Sequence, residues 1–138
     1  MNASEIYEKV TTSADRFGAR NPQQLAFLRS VLGKCEQQQL AKALIDLFAQ
    51  ENAFERQALG GLLLMALRPA YAADLRGLIL SVLDHWDRSV GQLPRYLTFL
   101  HSADRCRECL AAVLDTEHDE ARRQKLETML WWIRNQHD

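Results

Sequence analysis

The sequence predicts an all-α protein, with about eight short helices in antiparallel pairs forming one domain over residues 1–138. Three observations carry that expectation. Apolar residues recur every three or four positions along most of the chain. Side-chain acceptors that suit helix N-caps stand just before several of those stripes. No run alternates apolar and polar residues between Asn-Gly or Asp-Gly turns, so no strand pattern competes.

The first helix opens at Asn2, with Glu5 three residues on in the capping-box spacing. Ile6, Val10, Ala14 and Phe17 share its stripe, and Gly18 ends it. Asn21-Pro22 reads as N-cap plus first helical residue, with Gln24 closing a box; Leu25, Leu28 and Leu32 follow, and Gly33 stops the helix. The third segment runs from about Cys35 to Gln50 on a face of Leu40, Leu44, Leu47 and Phe48. Asn52 and Glu55 repeat the box and open the fourth, which Pro69 ends.

The fourth segment contains Ala58-Leu-Gly-Gly-Leu-Leu-Leu-Met-Ala-Leu67, apolar around its whole circumference. A helix of that kind is buried on several sides, so it is the expected centre. Gly60 and Gly61 each cost about 1 kcal/mol relative to Ala in a helix. They make sense where another helix crosses at close range. The fifth segment is expected from about Ala70 to Asp87, with Leu75, Leu78, Ile79, Val82, Leu83 and Trp86 on one face about 140° wide. The sixth starts near Leu93, because a start at Ser89 would leave Pro94 inside the helix. It carries Tyr96, Leu97, Phe99 and Leu100. Ser102 caps a seventh, to about Asp115, with Cys106, Leu110, Val113 and Leu114 inward. Thr116 and Asp119 open an eighth that reaches Asn135 on a stripe of Leu126, Met129, Leu130 and Ile133.

The starts at Cys35, Ala70 and Ser102 give a helix-pair period of roughly 34 residues. In that spacing the chain resembles HEAT-like α-helical repeat proteins, whether as a right-handed stack or as a compact helical bundle. The resemblance covers most of the chain and is one of architecture. The Trp, Gly and Tyr pattern of tetratricopeptide repeats is not there.

Composition narrows the function classes. Hydrophobic residues make up 47% of the chain, enough for a core without a metal or disulfide staple. Seventeen basic and 18 acidic residues leave a net charge of −1. The two halves are balanced alike, so the basic excess of a dedicated nucleic-acid binder is missing. Three cysteines form no disulfide framework. The start, Met1-Asn-Ala-Ser-Glu5, lacks a basic region followed by an apolar run. The longest uncharged apolar run, Ala58–Leu67, falls short of the ~20 residues that span a bilayer. The expected compartment is the cytosol, without membrane contact.

Several constellations bear on chemistry. Cys106-Arg-Glu-Cys109, flanked by His101 and His118, supplies four zinc-type ligands. The pair lies in a predicted helix instead of a knuckle turn, so packing is the expected role, and no metal or other cofactor is expected. Asp84-His85-Trp86-Asp87 and the run Glu117-His118-Asp119-Glu120 offer acid–base groups without any sign of a pocket. Arg88, Arg95, Arg105 and Arg107 are interleaved with acidic residues, which favours ion pairing. Nucleophile elbows, phosphate-binding glycine loops and His-Glu-x-x-His are absent.

Trp131-Trp132 is the strongest pointer to function. Relative to the eighth helix's stripe, Trp132 lies roughly 110° off centre and Trp131 roughly 150° off. One packing face cannot hide both indoles, so either a neighbouring segment of the chain covers the second face or one indole is exposed at a partner or homodimer contact. These readings predict a non-enzymatic protein–protein interaction module, with Trp131, Trp132, Tyr96, Arg95, Asp84 and Asp87 as contact candidates. Compact helical proteins of this size resemble cytosolic immunity proteins that neutralise bacterial toxin domains. That resemblance implies a cognate toxin as partner and inhibition by occlusion. The competing expectations are a nucleic-acid-binding regulator with an Arg-lined surface and a metal-binding helical protein.

Overall fold

The structure is a computed structural model that describes residues 1–136. Among these residues there are eight helices and no strands: α1 (Ala3–Phe17), α2 (Pro22–Leu32), α3 (Gln37–Ala49), α4 (Phe54–Leu67), α5 (Leu75–Val82), α6 (Gln92–His101), α7 (Ala103–Thr116) and α8 (Glu120–Arg134). The molecule is an all-α helical bundle with a two-row order. In one row α1 packs on α3, α3 on α5 and α5 on α7; in the other α2 packs on α4, α4 on α6 and α6 on α8. Contacts of α1 with α2, α3 with α4, and α7 with α8 join the rows. The core is one continuous cluster from Ile6 in α1 to Ile133 in α8.

Most helix starts follow from short side chains that satisfy otherwise orphaned N–H groups. Asn2 and Glu5 form the full capping box of α1. The Asn21 side chain accepts from the Gln23 and Gln24 N–H groups, and Asp119 from that of Arg122. Ser102 ends α6 and caps α7 by itself, at φ 76°, accepting from the Arg105 N–H. The α3 helix starts two residues later than Cys35, because the Glu36 carboxylate takes the N–H groups of Gln38 and Gln39.

Helix α4 is the centre. It packs against α1, α2, α3 and α6. A Cβ on Gly60 would come within 2.6 Å of Leu47 Cδ1 in α3, and one on Gly61 within 2.9 Å of Gln92 Cβ in α6. At both glycines a neighbouring helix fills the space that a side chain would need. The capping box expected at its start does not form. Ala53 stands at the N-cap, and Glu55 instead accepts from the Ala19 N–H at 2.9 Å, tying the α1–α2 turn to α4.

The fifth helix is much shorter than Ala70–Asp87. Ahead of it, Gln37 and Gln38 reach across from α3: Ala70 N–H donates to Gln37 Oε1 (2.7 Å) and Ala72 N–H to Gln38 Oε1 (2.9 Å). These bonds hold 70–72 in non-helical backbone, and Asp74 then caps α5 by accepting from the Gly77 N–H. After Val82 the chain turns through 83–91 while Trp86 still reaches the core, fully buried, with its indole N–H on the Val90 carbonyl. The α6 helix begins at Gln92 with Pro94 in its first turn, where the missing N–H removes no internal bond. Phe17, expected on the inner stripe, is exposed at the last residue of α1, with the Arg16 guanidinium over its ring.

Candidate functional site

Helix α8 organises one end of the molecule. Trp132 is half-buried and lies over Gly91, where a Cβ would meet three of its ring carbons at 2.7–2.8 Å. Its Nε1–H donates to the Arg88 carbonyl at 2.8 Å. Trp131 is the residue farther from the apolar stripe, and it is 54% exposed. It meets Trp132 edge-on, with ring centroids 5.1 Å apart and planes at 78°. An exposed indole therefore rests on an anchored one.

The 83–91 turn is fixed from two sides. From α8, Lys125 Nζ donates to the Asp84 carbonyl at 2.7 Å, and Arg122 pairs with the Asp84 carboxylate at 3.3 Å. Partial burial lowers the Lys125 pKa, opposed by the nearby Asp84. From α4, the fully buried Gln57 donates to the carbonyls of His85 (2.7 Å) and Glu51 (3.1 Å) and accepts from the Asp87 N–H (2.8 Å). With three bonds to protein groups, the buried amide needs no water.

Two grooves flank this end and share Arg95 and Gln136. The larger, about 710 Å³, is lined by Met65, Arg68, Arg95, Thr98, Phe99 and Gln136 among others. The smaller, about 250 Å³, runs past Gly91, Gln92 and Trp132. Phe99 is 47% exposed; its ring stacks at 6.1 Å on that of Tyr96, and the Arg68 guanidinium lies 5.7 Å from its centre. Arg68 is the C-cap of α4, in the left-handed region at φ 43°.

Of the residues expected at a contact, Trp131, Trp132 and Arg95 lie at this end. Tyr96 does not qualify. It is fully buried, its hydroxyl donates to the Pro69 carbonyl, and burial raises its pKa. It fixes the α4 C-terminus to α6 and presents no exposed surface. Asp84 and Asp87 share no helix face, since both lie in the 83–91 turn. Asp84 is exposed but paired with Arg122, and the Asp87 carboxylate accepts from the N–H and hydroxyl of Ser89. Both aspartates serve their own chain first. Of the arginines near them in sequence, Arg107 is paired with Asp104.

The four zinc-type residues do not converge. Cys106 is buried in α7 and its thiol is pushed up to about 11 by burial; Cys109 is half-buried and raised for the same reason. His101 closes α6 and His118 stands exposed in the α7–α8 turn. Among the described residues no three His, Cys, Asp or Glu side chains are grouped to hold a metal ion. No helix among them is long and apolar enough to cross a membrane.

Sequence reasoning missed Arg68 and Phe99 as a pair. It also missed a third groove, about 470 Å³, between α1 and α2, where Phe17 and Phe27 are both exposed beneath Arg16 and Lys9. Phe17 was readable only as a member of an apolar stripe, and Phe27 only as a residue beside one. No family model matches the chain, and no curated protein or solved structure matches it.

Proposed function

We propose that this chain is a non-catalytic module that binds another protein, and that the α6–α8 end is its contact surface. The observation that carries the reading is Trp131: a large exposed indole mounted on a second indole that is itself hydrogen-bonded and packed. Exposed aromatics of this kind are the side chains that dominate interface energetics. A mount already fixed before binding reduces the ordering cost that association must offset. Arg95, Phe99 and the two grooves extend the same end into a surface with both shape and charge.

In its finer form the reading makes the chain a cytosolic immunity-type inhibitor that covers a toxin's active site. That form rests on the HEAT-like architectural resemblance, and fold alone does not determine function. It is tested by co-expression with the product of the adjacent gene, expecting relief of that product's toxicity and a one-to-one complex.

The general reading is tested with wild-type and Trp131→Ala chains as paired baits under gentle lysis. One stoichiometric partner is expected on the wild type, with affinity for Trp131→Ala weaker by roughly 30-fold, the size of a hot-spot loss. Equal recovery on both baits would remove Trp131 from the contact. Recovery of the chain alone, or only of a second copy of itself by light scattering, would count against the reading.

A further inference from the structure

We infer that the larger groove receives an acidic segment of the partner, with a carboxylate on the Arg68 guanidinium and an apolar side chain on the floor made by Phe99 and Met65. This inference rests on the protein-binding reading and names the chemistry of the partner.

Charge complementarity is the first support. The chain as a whole carries 18 acidic and 17 basic residues. Yet Arg68 brings a guanidinium to this groove, and no carboxylate is among its described lining. Guanidinium groups recognise carboxylates in a planar, two-bond geometry.

The second support is the backbone of Arg68. At φ 43° it occupies the left-handed region, which suits glycine and disfavours an arginine. Its N–H donates to the Leu64 carbonyl at 2.8 Å and so closes α4. That capping bond needs no side chain. A strained residue at a position where glycine would be more stable directs attention to what the side chain does. What it does here is lie over Phe99, whose ring stacks on Tyr96, whose hydroxyl returns to Pro69 next to Arg68. The loop of contacts closes on itself and holds the guanidinium at the groove before any partner arrives.

A nucleic acid is the other polyanion to weigh. Tracking a phosphate backbone takes a row of cations, on the order of 6–10 for a stable protein–DNA contact. One guanidinium above a Phe–Met floor fits a short acidic and apolar segment better.

The experiment pans a random library of peptides about 12 residues long on the intact chain. Enriched peptides are then labelled with fluorescein and titrated by anisotropy against wild type, Arg68→Gly, Arg68→Glu and Trp131→Ala. Expected are peptides with Asp or Glu close to a Leu, Phe or Trp. Their Kd should weaken at least about tenfold in both Arg68 variants, the size of a lost charge-assisted pair. The melting temperature of Arg68→Gly should be equal to or above wild type, which separates loss of contact from loss of fold. Enriched peptides without acidic residues, acidic peptides indifferent to Arg68, or no enrichment over bare support would each overturn the inference. So would a fluorescein-labelled DNA duplex that binds more tightly than the peptides and depends on Arg68, by assigning the groove to phosphates. Peptides lost with Trp131→Ala but indifferent to Arg68 would overturn this inference while sparing the binding module.

Discussion

Two glycines at crowded crossings differ in what crowds them. At Gly60 the obstacle is one methyl of Leu47, the far end of a side chain that can turn away. Gly60→Ala also gains about 1 kcal/mol of helix propensity, so its net effect on stability should lie near zero. At Gly91 the obstacle is a face of the Trp132 ring, rigid and tethered to Arg88. Gly91→Ala should therefore cost roughly 1–3 kcal/mol. Urea denaturation of the two variants side by side checks the order; an equal cost would mean that Trp132 is less firmly seated than its contacts imply. The crowding at Gly60 was legible in the sequence, because adjacent glycines in a fully apolar helix give up helix propensity and buried side-chain area at once, a loss that close helix packing offsets. Gly91 was not, since nothing local links it to an indole 41 positions later.

Charge at single residues supplies a pH test. Arg56 forms a two-bond pair with Asp15 and also pairs with Glu51. The hydrogen bond from Arg56 holds the Asp15 carboxyl below the usual carboxylate range. With the folded value below the unfolded one, the pair stabilises at pH above about 4 and is lost as pH falls through the folded value. The stability gap between wild type and Asp15→Asn should thus close progressively as pH falls below about 4, and it should shrink with added salt because Asp15 is exposed. A gap that stays constant across that range would show that the carboxylate contributes nothing through its charge.

At the scale of elements, side chains distant in sequence decided what local patterns left open. N-caps at Asn2, Asn21 and Ser102 were readable because the signal lies four residues before the stripe that it opens, whereas the cap of α8 falls on Asp119, and Thr116, expected to open that helix, ends α7. The start of α5 was not. Ala70, Ala72 and Ala73 are good helix formers, and the stripe from Leu75 runs on without a break. What overrides them is Gln37 and Gln38, which supply hydrogen bonds from α3 to the Ala70 and Ala72 N–H groups. The end of α5 has the same character, since Gln57 serves the turn from within α4. Gln57→Leu keeps the volume but strips the Glu51 and His85 carbonyls and the Asp87 N–H of their partner. A loss of roughly 2–4 kcal/mol is expected, at about 1–3 kcal/mol per polar group left unpaired and with some relief from water. Hydrogen exchange should speed up first across 83–91. Uniform acceleration over the whole chain would mean that Gln57 does not act through the turn.

At the scale of the molecule, one core links α1 to α8, and α4 touches both halves. The three tryptophans all lie in the second half, at 86, 131 and 132, whereas helices fill both halves. Tryptophan emission and far-UV circular dichroism therefore report on different regions. Their urea transitions should coincide, as expected for cooperative unfolding of a core of this size. A fluorescence midpoint displaced from the dichroism midpoint would divide the core in two. The all-helical bundle and its centre at α4 were legible because periodicity and cap residues are local. The contact end was legible only in part: helical arithmetic separated Trp131 from its stripe, but the partnership of Arg68 with Phe99 spans two helices and leaves no trace in either.

The Trp131–Trp132 pair has one more consequence. Two indoles 5.1 Å apart with planes at 78° have coupled electronic transitions, because their transition dipoles are close. Such a pair adds a signed couplet to the dichroism spectrum, beyond what two isolated indoles give. Anything that turns Trp131 away from its neighbour erases that couplet, while the helical bands stay as they were. The chain thus carries an unlabelled optical gauge at the very end where a partner is expected to land.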